Sequence, residues 1–270
     1  MRIVVKVGTS NIIRKNGSID IHSMDLLART ISDIKNMGNE IILVSSGAIG
    51  VGTNKLGLPE RPRELRMKQA VAAVGQCELM HLYDKLFSEY GQKVGQILLT
   101  GGDVERKTSA EHLTRTFEAL LELGAIPIVN ENDSVSSAEI ETGRNKVLGD
   151  NDTLSSIVAV LCGADLLVIL SDIDGLFDKD PNCHPDAKLI PLVYEITENL
   201  REACGDAGEW GTGGMLTKLD AAERAMQNGI DTIITNGSQI ENLYKIASGE
   251  PVGTRFVSIK KKKEEAAASL

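Results

Sequence analysis

The chain has 270 residues, 42% hydrophobic and 25% charged, enough to build a full core for one large α/β domain or two small ones. Aromatics supply only 3%, so the interior must be made of Ile, Val, Leu and Ala, the residues of buried parallel strands. A net charge of −9 argues against a nucleic-acid partner, and no apolar stretch reaches the ~18 residues a membrane span needs.

In chain order, Arg2 to Val7 reads as a strand, followed by a turn at Gly8-Thr9-Ser10. A helical pattern then sets Met24, Leu27, Ile31 and Ile34 on one face, with Gly38 as its stop. Glu40 to Val44 is the next strand, Arg63 to Tyr90 a long helical region, and Lys93 to Leu99 another strand. Thr108 to Glu111 has a capping-box pattern and opens a helix whose apolar face is Leu113, Phe117, Leu120 and Leu121. After the stop at Gly124 come a strand at Ala125 to Val129, a helix at about Asp152 to Cys162 and a strand at Leu166 to Leu170. A helix near Thr217 to Gln227 and a strand at Thr232 to Thr235 complete the series. Repeated strand–helix–strand units predict one α/β domain, a mostly parallel sheet with helices on both faces, over residues 1–258. Residues 259–270, with Lys260 to Lys263, read as a solvated tail.

Polar residues gather after the strands: Gly8-Thr9-Ser10, Ser45-Ser46-Gly47-Ala48, Asn130-Glu131-Asn132-Asp133, Ser171-Asp172-Ile173-Asp174-Gly175 and Asn236-Gly237-Ser238. One such loop could be turn chemistry alone. Five at the carboxyl ends of parallel strands predict a shared ligand crevice. Two glycine-rich segments carry a lysine, Lys6 to Ser10 and Gly211 to Lys218, and both could present backbone N–H groups to phosphate. Neither is a P-loop, and GxGxxG is absent near the first strand. Asp150-Asn151-Asp152 precedes a helix, where a single capping residue would suffice. No cysteine pair forms CxxC; Cys77, Cys162, Cys183 and Cys204 are expected to be buried free thiols in a reducing cytoplasm. His22, His81, His112 and His184 lie outside the polar loops and receive no role.

Taken together, KVGTS at Lys6, SSGAIG at Ser45, KQAVAAVGQ at Lys68, NEND at Asn130, GDND at Gly149, SDIDGLF at Ser171, DP at Asp180 and GTGGMLTK at Gly211 resemble the amino-acid kinase superfamily. Within it they are most similar to the glutamate 5-kinase family, across residues 3–256. The resemblance implies a three-layer αβα sandwich and an enzyme that moves the γ-phosphoryl group of ATP onto the γ-carboxylate of L-glutamate. It implies that Lys6 and Lys218 flank the phosphoryl group and that Asp152 holds both lysines. By the same resemblance Ser46, Gly47, Asp133 and Asn151 bind glutamate. Lys6, Gly8, Ser171 and Asp172, with Thr212, Gly213, Gly214, Met215, Leu216, Thr217 and Lys218, bind ATP. Asp150 contributes to Mg2+ binding, directly or through water. The family also implies proline as feedback inhibitor and a homodimer or homotetramer, with no nucleic-acid or membrane partner. The chain stops shortly after Phe256, so the RNA-binding-like C-terminal domain of many members is expected to be absent. Arg144-Asn145-Lys146 departs from the family's loop. Asp133 suits an acceptor with a free ammonium group. A superfamily kinase with another acceptor and a non-catalytic amino-acid sensor are the competing readings.

Overall fold

The computed structural model of the chain describes residues 1–136, 150–181, 183–205 and 214–259. Eight strands form one sheet: β1 (Arg2–Val7), β2 (Glu40–Ser45), β3 (Lys93–Leu99), β4 (Ala125–Glu131), β5 (Leu166–Ser171), β6 (Leu192–Val193), β7 (Asp231–Asn236) and β8 (Thr254–Phe256). Their spatial order is β3-β4-β2-β1-β5-β7-β8-β6. Every pairing is parallel except β7 with β8. The helices are α1 (Ile21–Asn36), α2 (Ala48–Lys55), α3 (Leu65–Glu89), α4 (Gly101–Glu105), α5 (Lys107–Glu122), α6 (Asn151–Leu161), α7 (Glu198–Gly205), α8 (Met215–Gln227) and α9 (Asn242–Ser248).

The alternation of side chains along each strand divides the core in two. Ile3, Val5 and Val7 of β1 join Leu43 of β2 and Val168 of β5 against α1, α3 and α9. Val4, Ile42, Val44 and Leu167 point the other way, against α5, α6 and α8. The result is the three-layer αβα sandwich that the motifs imply. Lys6 shares the period of Val4, so it faces α6 and α8, and Ser45 shares that of Leu43, so it faces α3.

Two helices cross almost backbone to backbone. A Cβ on Gly75 of α3 would stand 1.8 Å from the Ala48 carbonyl oxygen, and one on Gly52 of α2 would stand 2.0 Å from that of Val71. Only glycine permits this approach, which seats α2 directly after the β2 loop.

Two expectations need correcting. The capping box is at Thr100 and Asp103, where Asp103 Oδ2 accepts from Thr100 N–H at 2.9 Å. The residues Thr108 to Glu111 already lie inside α5, because the chain leaves α4 through an extended Arg106 and starts the next helix at Lys107. Of the cysteines, only Cys162 is buried among the described side chains, while Cys77 and Cys183 are exposed. No helix of the described residues is long and apolar enough to cross a membrane.

Candidate active site at the carboxyl edge of the sheet

The five polar loops do meet. Ser46 N–H donates to the Val7 carbonyl at 3.1 Å, joining the loops after β1 and β2. Gly237 N–H donates to the Ser171 carbonyl at 2.7 Å, and Asn236 Nδ2 to Asp174 Oδ1 at 2.8 Å, joining those after β5 and β7. A Cβ on Gly237 would fall 2.3 Å from Asn11 Nδ2, so the β7 loop also touches the turn after β1. The loop after β4 enters through Asn130, which reaches Asn151 at the start of α6.

At the centre is a buried ion triad. Asp152 stands in the first turn of α6 and is 1% exposed. Its Oδ1 lies 2.7 Å from Lys6 Nζ and its Oδ2 3.1 Å from Lys218 Nζ. Thr217 Oγ1 sits 3.2 Å from the same Oδ2. The lysines come from β1 and the first turn of α8, 212 positions apart in sequence. Burial alone would raise the Asp152 pKa, but the two ammonium groups more than offset it and hold the carboxyl below its ordinary range. The triad therefore carries a net charge of +1 at neutral pH. The N-termini of α6 and α8 open beside it and add their positive dipole ends.

Asp150 is the N-cap of α6, its Oδ1 accepting from Thr153 N–H at 2.8 Å. Capping and a metal role are compatible, since a carboxylate has a second oxygen. Among the described residues no three His, Cys, Asp or Glu side chains converge as a metal cage.

Asn151, the first residue of α6, turns toward β2. Its Nδ2 lies 2.7 Å from Ser46 Oγ and 3.1 Å from both the Ser45 carbonyl and Asn130 Oδ1. Gly47 follows with φ of +101°, a left-handed conformation that turns the chain into α2 and that a side chain would strain. Asp133 lines two cavities, of about 400 and 480 Å³. The larger one has Arg61, Arg63 and Lys68 on one side and Glu131 and Asp133 on the other. Lys68 heads the KQAVAAVGQ segment, but Arg61 and Arg63 carry no signal in the sequence, because the cavity joins the α2–α3 connection to a strand end about seventy residues away.

Gly8 begins a single 3₁₀ turn at Thr9–Asn11, whose first N–H groups have no acceptor within the turn. Ser171 Oγ donates to the exposed Asp172 carboxylate at 3.1 Å. Gly214, Met215 and Leu216 form the cap and first turn of α8. Thr212 and Gly213, the segment from Arg144 to Gly149, and the tail from Lys260 lie outside the described residues.

The amino acid kinase family model matches residues 1–236. A glutamate 5-kinase of Clostridium perfringens is 54% identical over 96% of this chain and 96% of its own length. That of Lactococcus lactis subsp. lactis is 48% identical over 94% of both chains, and that of Listeria monocytogenes 50% identical over 98% and 94%. Among solved structures, a Giardia lamblia carbamate kinase bound to AMP-PNP matches 95% of this chain and 98% of its own, at TM-score 0.67 and 14% identity. A UMP kinase of Bacillus anthracis matches 96% of each chain at TM-score 0.63 and 14% identity. The two structures share the fold; the family follows from the sequences, and the chain belongs to the amino acid kinase family, alongside its glutamate 5-kinases.

Proposed function

We propose that the chain catalyses ATP-dependent phosphorylation of the γ-carboxylate of L-glutamate, giving L-glutamyl 5-phosphate, the first step of proline biosynthesis. The observation that carries this reading is the pair of buried lysines held on one aspartate at the mouths of two helices. An acceptor carboxylate oxygen attacks the γ-phosphorus, a new O–P bond forms, and the bond to the β-phosphate oxygen breaks. A carboxylate is already ionised at pH 7, so no base has to remove a proton. What the protein supplies is position and charge. Lys6 and Lys218 stand where the transferring group gains negative charge, and Asp152 keeps both side chains in place. Ser171, Asp172 and the N-terminal turn of α8 hold the nucleotide. Mg2+, when bound, neutralises phosphate charge; Asp150 is the residue that would help to hold it.

For the acceptor, Ser46, Gly47 and Asn151 take the reacting carboxylate end. Asp133 takes the ammonium group, which favours a free amino acid over an N-acetylated one. The cavity that sets Arg61, Arg63 and Lys68 against Glu131 and Asp133 has the charge pattern of a zwitterion. Feedback inhibition by proline, a dimeric or tetrameric state and a cytoplasmic location belong to the same proposal.

The deciding experiment offers L-glutamate, L-aspartate, N-acetyl-L-glutamate, carbamate and UMP with ATP and Mg2+, and traps acyl phosphate with hydroxylamine. Hydroxamate with L-glutamate alone is the expected result. Hydroxamate with another acceptor moves the protein elsewhere in the family, and no acceptor-dependent ADP release removes the kinase reading.

A further inference from the structure

Gln76, the last residue of the KQAVAAVGQ segment, stands on α3 with no role assigned to it, yet its amide is bonded into the site. Its Oε1 accepts from Asn130 Nδ2 at 2.9 Å. Asn130, 3% exposed, uses its Oδ1 to accept from Glu131 N–H at 2.9 Å and from Asn151 Nδ2 at 3.1 Å. Asn151 Nδ2 in turn meets Ser46 Oγ at 2.7 Å and the Ser45 carbonyl at 3.1 Å.

The polarity of each link is forced. A backbone N–H can only donate, so the Asn130 atom facing Glu131 N–H is its carbonyl oxygen. The Asn130 nitrogen then faces Gln76, whose atom there must be an oxygen. On the other side, Asn130 Oδ1 and the Ser45 carbonyl can only accept, so the Asn151 atom between them is its nitrogen. An amide nitrogen does not accept, so Ser46 Oγ accepts from it, one of the two Asn151 N–H groups being shared between two of the three acceptors, and the Ser46 proton points elsewhere.

We infer that Gln76 is a positioning residue for the acceptor: through Asn130 and Asn151 it fixes the Ser46 hydroxyl with its proton directed at the incoming carboxylate. The inference rests on the reading of Ser46 as an acceptor contact. With Gln76 Oε1 removed, the buried Asn130 amide loses the partner that sets its plane. The error passes to Asn151 and then to the Ser46 hydroxyl. A hydrogen bond from that hydroxyl to an ionised carboxylate is worth roughly tenfold or more in affinity.

The test is a set of steady-state measurements on the full-length protein with ATP, Mg2+ and L-glutamate. Gln76→Leu is sterically mild, because the 400 Å³ cavity beside it is lined by Ala72, Ala73, Met80 and Leu98. It should raise KM for glutamate about tenfold and leave KM for ATP within twofold. Gln76→Glu keeps an oxygen facing Asn130 Nδ2 and should stay near wild type. In a Ser46→Ala background the penalty of Gln76→Leu should shrink to within twofold, because the group it orients is gone. A full tenfold penalty in that background overturns the inference, as does a Gln76→Glu variant as impaired as Gln76→Leu. If Gln76→Leu does not fold, the pair Gln76→Glu and Gln76→Glu/Asn130→Asp carries the test. The double variant sets carboxylate against carboxylate and should lose glutamate affinity; a double variant equal to the single one overturns the relay. Wild-type turnover of glutamate with Gln76→Leu unchanged refutes the relay alone. No wild-type turnover of glutamate refutes the kinase reading and, with it, the role of Gln76.

Discussion

Replacing Asp152 by Asn leaves two ammonium groups facing a neutral amide inside the protein. The side chains of Lys6 and Lys218 are 10% and 7% exposed, so solvent offers little screening. Removing one partner of a buried ion pair costs about 3–5 kcal/mol. The ammonium tips border the crevice, which argues for the lower end, about 3 kcal/mol. For a domain of this size that loss lowers Tm by roughly 6–12 °C at pH 7. The pH dependence carries the sharper signature. In the wild type Asp152 has a depressed pKa, so its contribution is complete above the usual carboxylate range near ~4 and is lost only as pH falls through the depressed value. Between pH 7 and 9 it is constant. Asp152→Asn lacks that group, so its deficit should be full at pH 7 and narrow as pH falls through the depressed Asp152 value. Urea unfolding of both proteins at pH 7 and through the acid range measures this directly. A variant within ~1 kcal/mol of wild type at pH 7, or a deficit that does not change with pH, would refute the account of the triad. Its kcat should fall at least ~10²-fold, since both charges near the phosphoryl group lose their anchor.

Lys218→Ala should lower kcat at least ~10²-fold in an ADP-release assay, the scale of one transition-state charge contact, while an unchanged kcat removes Lys218 from the chemistry. Asp133→Asn should raise KM for L-glutamate at least ~10-fold and leave KM for ATP near wild type, as expected for a counter-ion to the ammonium group. Gly75→Ala must push α3 off the Ala48 carbonyl, so it should cost about 3 kcal/mol in denaturant unfolding and raise KM for glutamate through α2. Asp231 accepts from Ser258 N–H at 2.9 Å and from Arg255 Nε at 3.0 Å. Burial would raise its pKa, and these partners more than offset that and hold it down. Its stabilisation is therefore present above the ordinary carboxylate range and lost on acidification. Asp231→Asn should lower stability at pH 7 and flatten the acid limb of a Tm–pH curve.

How far the sequence could be read depends on whether each signal was local. The central strands read as β-branched runs, and the polar loops that follow them in sequence are the ones that meet at the carboxyl edge of the sheet. Lys6 was legible too: a lysine one step out of phase in Arg2–Val7 must face the layer opposite Ile3 and Val5. The shorter elements were not. In α2 the sequence AIGVGTNK includes two glycines, so its helicity depends on the packing of Gly52 against α3 rather than on propensity. β8, three residues long, is tied back to β7 by Arg255 and Asp231, 24 positions apart.

The site divides along the same line. Motif residues carry a recognisable local pattern because they must present atoms to a ligand. Gln76 presents its atom to another side chain, Asn130, 54 positions away; it closes the KQAVAAVGQ segment, but nothing in that helical stretch says what its amide does. Yet hydrogen-bond polarity, not proximity, makes it consequential. Three amides in series, Gln76 accepting from Asn130 and Asn130 accepting from Asn151, transmit an orientation that no single contact could impose. Motif matching therefore flags segments, whereas the role of a residue that aims another is found by following donors and acceptors inward. The Gln76→Leu and Gln76→Glu pair separates these two kinds of residue experimentally, because only the second keeps an oxygen facing Asn130 Nδ2.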